Sequence, residues 1–269
     1  MKKKELLSLL EKEDIFPKKA FGQNFLWNES ILDRIASQLA GSRLVIEIGT
    51  GPGTLTEKLA ENSEKVITYD IDERLYMFSK KRLSEFDNIE FIHKDFLESD
   101  IFSYIDKDVT FVGNLPYNIA SRIIVKLASF GKKMLFMLQK EVADRLISKK
   151  NSKNYSFFTA YVGFYCKPKR LFDISPDNFF PKPNVYSSII SLEPKKHDDL
   201  PDGFNSFVSN AFSCRRKKMV NNFSGDKRKA LEKALVKLGY SLNVRAQELS
   251  SEEFGKLFSV LSDFISFGV

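Results

Sequence analysis

Leu44-Val45-Ile46-Glu47-Ile48-Gly49-Thr50-Gly51-Pro52-Gly53-Thr54-Leu55-Thr56 is the stretch that decides the architecture. A short apolar run broken by one carboxylate reads as a buried strand. Three glycines at alternate positions read as a tight turn, and Thr54 to Ala60 as a helix. Working outward, Ile31, Leu32, Ile35, Ala36 and Leu39 recur at helical spacing between Asn28 and Leu39. Downstream, strands are expected at Lys65–Asp70, Ile89–Ile92, Val109–Val112 and Lys133–Leu138. Helices are expected at Glu73–Leu83, Ile119–Ala128 and Glu141–Ser148. Strand alternating with helix predicts a parallel sheet covered on both faces. Phe157–Tyr165 and Val185–Leu192 read as β-rich stretches extending one edge of that sheet. Residues 194–203, with Pro194, Pro201 and Gly203, read as a linker. The pattern after it is helical only, and Ser250 with Glu253 forms a capping box opening the last helix.

Composition narrows the chemistry. The chain has 269 residues, 42 Lys plus Arg against 35 Asp plus Glu, and a formal charge of +7, which favours a polyanionic partner. The two cysteines, Cys166 and Cys214, lack metal-ligand spacing, so neither a disulfide framework nor a metal site is expected. With two histidines, His93 and His197, a Ser-His-Asp or Cys-His hydrolase is poorly supported. No stretch approaches the roughly 18 apolar residues of a membrane span, and the lysine-rich start lacks the features of a secretory signal. The expectation is a cytoplasmic protein with no membrane partner.

The glycine turn has the spacing Gly-x-Gly-x-Gly, which favours S-adenosyl-L-methionine over the dinucleotides that take Gly-x-Gly-x-x-Gly. Asp70 ends the next strand about 20 residues on, where a ribose diol is held. Asp95 follows the third strand as an acceptor for an adenine amino group. Singly, Asp70 is explained by a strand-end turn and Asp95 by a helix cap. Their joint placement at the ends of successive strands carries the information.

Asn114-Leu115-Pro116-Tyr117 follows the fourth strand. These residue types suit methyl transfer to an adenine amino nitrogen, a poor nucleophile whose lone pair is delocalised into the ring. Positive charge moves onto that nitrogen, and an acceptor-rich pocket stabilises it. The Asn114 side-chain oxygen and the Leu115 carbonyl are the acceptors. Pro116 fixes the turn, and Tyr117 offers a ring for stacking, worth roughly 1–3 kcal/mol. No general base is required before attack, because the methylated cation is itself strongly acidic. In Phe179-Phe180-Pro181-Lys182-Pro183-Asn184-Val185, a phenylalanine is a candidate second stacking face, with core burial as the competing reading.

In this order the motifs resemble those of the ribosomal RNA adenine dimethylases, the KsgA-type enzymes acting on small-subunit RNA. The resemblance runs from about Phe21 to Phe258. Phe21-Gly22-Gln23-Asn24-Phe25-Leu26 is similar to the family's opening motif, which places Asn24 and Leu26 beside the cofactor. Glu47 to Gly53, Asp70, Asp95 and Asn114 to Tyr117 fit its cofactor and catalytic motifs. The resemblance makes Phe179 the stacking ring, implies cofactor contacts at Gly49, Gly51, Gly53, Asp70, Asp95 and Asn114, and assigns catalysis to Asn114, Leu115, Pro116, Tyr117 and Phe179. Arg215-Arg216-Lys217-Lys218 and Arg245 to Ser250 look like the family's basic run and closing motif. Asp70 stands where Glu is frequent, and Tyr186 where an acidic residue is common, so no role is carried over to Tyr186.

The resemblance implies a class I, Rossmann-like methyltransferase α/β sheet with an antiparallel edge and a small all-helical C-terminal domain. The domain expectation is 1–27 as a basic segment and cofactor-lid motif, 28–193 catalytic, 194–203 linker, and 204–269 helical and RNA-binding. The implied reaction is dimethylation of two adjacent adenosines near the 3′ end of small-subunit ribosomal RNA, by a monomer acting on an assembling subunit. Candidate phosphate contacts are Lys2-Lys3-Lys4, Lys18-Lys19, Lys132-Lys133, Lys149-Lys150 and above all Arg215 to Lys218, placed on an expected helix. Two alternatives stay open. One is the related large-subunit adenine methyltransferase of the macrolide-resistance type, against which Arg245 to Leu249 argues. The other is a mainly non-catalytic assembly factor.

Overall fold

The structure is a computed structural model describing residues 3–18, 21–104, 108–116, 119–197 and 199–265. Contacts divide the chain into two compact units. One comprises 1–143 and 169–193, the other 144–168 and 194–269.

The first unit opens with helix α1 (Lys3–Lys12). Its Leu6 and Leu10, with Ile15, pack against Phe25 of the two-residue strand β1 (Phe25–Leu26) and against Leu75 and Phe78. Helix α2 (Glu29–Ala36) begins at Asn28, whose side chain accepts from Ile31 N. The sheet is then laid down by β2 (Leu44–Ile48), α3 (Thr54–Asn62), β3 (Lys65–Asp70), α4 (Glu73–Arg82), β4 (Ile89–His93), β5 (Val109–Asn114), α5 (Ala120–Ala128) and β6 (Lys133–Gln139). Helix α6 (Lys140–Leu146) follows, and β7 (Cys166–Ile174), β8 (Phe179–Phe180) and β9 (Ser187–Pro194) complete the strands. The main sheet has the order β4-β3-β2-β5-β6-β9-β7. β2 pairs in parallel with β3 and β5, β3 with β4, and β5 with β6, whereas β9 runs antiparallel to β6. β8 pairs with β1 in a separate ribbon, Phe25 opposite Phe180 and Leu26 opposite Phe179. Parallel strands covered on both faces need apolar side chains throughout, and Val45, Ile46, Phe111, Val112, Leu135 and Phe136 are all buried.

The sequence expectation for Phe157–Tyr165 is corrected here. It forms helix α7 in the second unit, not a strand. Its run of aromatic and apolar residues has no polar stripe because Phe158, Ala160, Tyr161, Val162 and Phe164 are all buried, and periodicity does not separate such a helix from a buried strand. α7 packs on α8 (Phe204–Ala211) and α10 (Ser251–Ser262), and α10 also packs on α9 (Gly225–Lys237). The α7–α10 approach is close. A β-carbon on Gly255 would lie 2.2 Å from the Phe164 ring, and one on Gly163 would lie 2.5 Å from Ser251 Oγ. Residues 144–168 thus share a core with 194–269, whereas the sequence reading ran one domain to 193. Ser250 caps α10 reciprocally with Glu253, as its sequence indicates.

Candidate active site

The turn between β2 and α3 is the floor of the site. Gly49, Gly51 and Gly53 have φ of 87°, 56° and 78°, a region glycine enters without steric cost. The Gly49 and Thr50 N–H groups both donate to the Tyr69 carbonyl, at 2.8 and 3.2 Å, curling the loop against β3. Gly51 N donates to Asp70 Oδ2 and Asp72 N to Asp70 Oδ1, both at 2.8 Å. The Asp70 carboxylate is thereby fixed, and each oxygen keeps capacity for one more donor. Burial raises its pKa to about 6, against the pull of those two backbone donors.

A cavity of about 330 Å³ opens at the carboxyl ends of the parallel strands, within the span of small-molecule sites. Asn24, Leu26, Gly49, Gly51, Asp70, Asp95, Asn114 and Pro116 line it, with Ile71 and Phe96 as apolar wall. Asp95 Oδ1 accepts from Leu97 N at 2.8 Å, as in the cap reading of this residue, and Asp95 also lines the cavity. A fixed carboxylate for a diol, a second carboxylate beside an apolar wall, and backbone close to the ligand through glycines fit S-adenosylmethionine.

Asn114 ends β5. Gly113 before it has no room for a side chain, since a β-carbon there would lie 2.4 Å from the Ile48 carbonyl oxygen. The Asn114 amide donates through Nδ2 to the Asn24 carbonyl at 2.8 Å. That acceptor dictates which way the amide is turned, leaving Oδ1 as an acceptor with no partner among the described residues. The Pro116 carbonyl accepts from Ile119 N and Ala120 N at 3.1 and 3.0 Å, so the turn starts α5 directly.

The sequence model of the ribosomal RNA adenine dimethylases matches residues 17–263. The chain belongs to that family. It is 33% identical to the ribosomal RNA small subunit methyltransferase A of Natranaerobius thermophilus, over 98% of each chain. It is 36% identical to the protein of that name from Clostridium acetobutylicum, over 96% of this chain and 98% of the other. Among solved structures, a dimethyladenosine transferase from Plasmodium falciparum superposes with a TM-score of 0.74 at 30% identity, covering 87% of this chain and 95% of that one. The 23S rRNA methyltransferase ErmE superposes at 0.64 and 25%, covering 88% and 99%. This dimethylase therefore has the class I S-adenosylmethionine methyltransferase fold.

Several expected site residues of the dimethylase sit differently from their sequence reading. Gly53 is outside the cavity lining; it forms the left-handed start of α3, with Leu83 and Arg82 within 3.1 Å of where a β-carbon would be. Leu115 is also absent from the lining, with a buried side chain and an N–H donated to the Met137 carbonyl at 3.3 Å. Phe179 is 1% exposed and packed in the core that holds Leu26, Ile174 and Ile189, so neither ring face is open to a base. Its neighbour Phe180 is the half-buried one. Tyr117, like Lys2 and Lys19, lies outside the described residues. Arg215 to Lys218 lie in a turn, not on a helix. The Arg215 guanidinium is spent inside its own unit, on Gln247 Oε1 at 2.9 Å and on the Ser152 and Lys153 carbonyls. Arg216, Lys217 and Lys218 remain exposed. Of the other lysine runs, Lys18 pairs with Asp72, Lys133 with Glu193 and Lys150 with Glu253.

Two residues, Arg82 and Lys126, escaped the sequence reading, and a third, Glu47, was read only as part of the glycine-turn motif. Glu47, 1% exposed, accepts through Oε2 from Thr56 and Thr68 hydroxyls at 2.6 and 2.7 Å, and Thr68 meets Thr50 at 2.6 Å. Burial outweighs these hydrogen bonds and raises its pKa to about 8. The raised value favours the protonated form at neutral pH. Arg82 donates to the Pro52 and Gly53 carbonyls at 3.0 and 2.6 Å and to Glu57 at 2.7 Å, clamping the glycine turn. Lys126, on α5, donates to the Phe96, Leu97 and Ser99 carbonyls at 3.4, 2.5 and 3.1 Å, tying down the segment that presents Asp95. Nothing local in the sequence marks the two cations, since their partners are backbone carbonyls and, for Arg82, a carboxylate 25 residues away.

Proposed function

We propose that this chain transfers methyl groups from S-adenosylmethionine to the N6 amino groups of two adjacent adenosines near the 3′ end of small-subunit ribosomal RNA, two to each, on an assembling subunit and as a monomer. The observation that carries the reading is the Asn114 amide, locked by Asn24 so that its oxygen is the acceptor at the cavity's edge. The names of the relatives, small subunit methyltransferase A and dimethyladenosine transferase, support the same substrate class.

S-adenosylmethionine supplies the methyl group as an electrophile on sulfur. Asp70 holds its ribose and Asp95 its adenine amino group, and the clamped glycine turn fixes the depth at which both are reached. Asn114 Oδ1 accepts a hydrogen from the target amino group. That contact draws the nitrogen lone pair out of conjugation and orients it toward the methyl. It also strengthens as positive charge develops, so it favours the transition state over the ground state. The adenine must leave its stack to reach Asn114. The N6 proton is released after transfer without a resident base.

The test is methyl transfer from labelled S-adenosylmethionine to separately purified, unmethylated small and large subunits, with the label mapped to nucleotides. Dimethyladenosine at two neighbouring small-subunit positions is expected. Label confined to one large-subunit adenine would assign the chain to the chemistry of ErmE-like relatives. Tight subunit binding without label would make it an assembly factor.

A further inference from the structure

Three phenylalanine or tyrosine rings among the described residues are exposed, Phe16, Tyr186 and Phe264. One of them stands at the catalytic end of the sheet. Asn114 pairs with Met137 on β6, and Gln139, two residues further along β6, pairs with Ser187 at the start of β9. Tyr186 immediately precedes Ser187. It therefore lies two strands across and about three residues beyond Asn114, roughly 14 Å at ordinary strand spacing and rise.

The position is built, not frayed. The Tyr186 carbonyl accepts from Lys140 N at 2.9 Å, pinning the loop to the end of β6. The Lys140 ammonium stands 5.9 Å from the Tyr186 ring centroid. The ring itself is 51% exposed and its neighbour Val185 42%. Lys140 also faces Asp173 at 3.5 Å, and Asp173 in turn is met by Arg170 at 3.7 Å and Ser188 Oγ at 2.6 Å. One carboxylate, Asp173, is thus shared between two cations.

We propose that Tyr186 is a stacking platform for a base flanking the target adenosine, within about three nucleotides of it, with Lys140 steadying the ring and meeting the adjoining phosphate. This rests on the RNA methyltransferase reading above. A ring with a free face beside a cation suits a nucleobase, because every base has a π-face and every linkage a negative charge. The interaction selects an unstacked strand over a duplex, since only a splayed base presents its face.

The test compares Tyr186→Ala, Tyr186→Phe and Tyr186→Trp with the parent on unmethylated small subunits, measuring KM for the subunit and kcat. The dissociation constant for S-adenosylmethionine is measured separately by calorimetry, and the melting temperature checks folding. The alanine variant is expected to raise subunit KM about tenfold, with kcat and cofactor affinity unchanged. Phenylalanine and tryptophan are expected to retain the parent KM. An alanine variant with the parent KM would overturn the proposal. So would a phenylalanine variant as impaired as alanine, which would assign the effect to the hydroxyl. A parent protein inactive on small subunits would remove the underlying reading and this platform with it, a failure distinct from that of Tyr186 alone.

Discussion

Asn114, half-buried, and Glu47, buried, mark two ways a single polar side chain serves the site. Asn114→Ala removes the acceptor that responds to charge on the target nitrogen. It is expected to lower kcat by at least about 100-fold while cofactor affinity, read by calorimetry, moves far less. Glu47 has its pKa raised from 4.5 to about 8 by burial. Between those values the folded chain keeps a proton that the unfolded chain has lost, so Glu47 makes stability fall as pH rises across that window, levelling above about 8. Glu47→Gln imitates the protonated form and is expected to flatten the melting temperature between pH 5 and about 8. A variant with the parent slope would show that Glu47 is ionised in the fold. At this scale the sequence was legible in placement: Asp70, Asp95 and Asn114, read at or just past strand ends, all line one cavity. It was misleading at Phe179, whose ring is identical in sequence whether it faces a base or the core. It was misleading again at Arg215, whose partners are carbonyls 62 and 63 residues away.

Among elements, the parallel strands and the helices between them could be read because buried strands and amphipathic helices have different periods. α7 could not, because a helix covered on nearly all sides has no period to read. The clamp from α4 to the glycine turn was hidden for a different reason: Arg82 ends a helix whose last turn is basic throughout, Lys80-Lys81-Arg82, a pattern explained equally by the helix dipole. Only packing separates Arg82, with its two carbonyl contacts, from the two lysines beside it. Arg82→Ala frees both carbonyls and is expected to weaken S-adenosylmethionine binding about tenfold. Arg82→Lys should fall in the same direction, since an ammonium does not reproduce the planar fork that reaches Pro52, Gly53 and Glu57 together. Calorimetric titration of both variants checks this, and parent-like affinity in Arg82→Ala would leave the turn self-supporting.

For the whole molecule, charge and connectivity matter more than any one contact. The basic run divides into a structural arginine and three exposed cations, so its members should behave differently. Replacing Arg216, Lys217 and Lys218 together by alanine is expected to reduce the salt slope of subunit binding by about 2–3, with the melting temperature unchanged. Arg215→Ala should instead lower the melting temperature. An unchanged slope in the triple variant would place the RNA on another face. Connectivity has a consequence of its own. The chain leaves the first unit after residue 143, builds α7, returns at 169 for the last strands, and leaves again at 194. On the ribosome α7 is therefore born long before α10, the helix it packs against. At ordinary synthesis speeds Phe158, Tyr161 and Phe164 wait roughly 5 to 20 s for the cover that α10 completes. A message broken after codon 193 would encode the full sheet yet release a nascent chain with a bare greasy helix inserted in it, a substrate for chaperones and proteases and not a smaller enzyme.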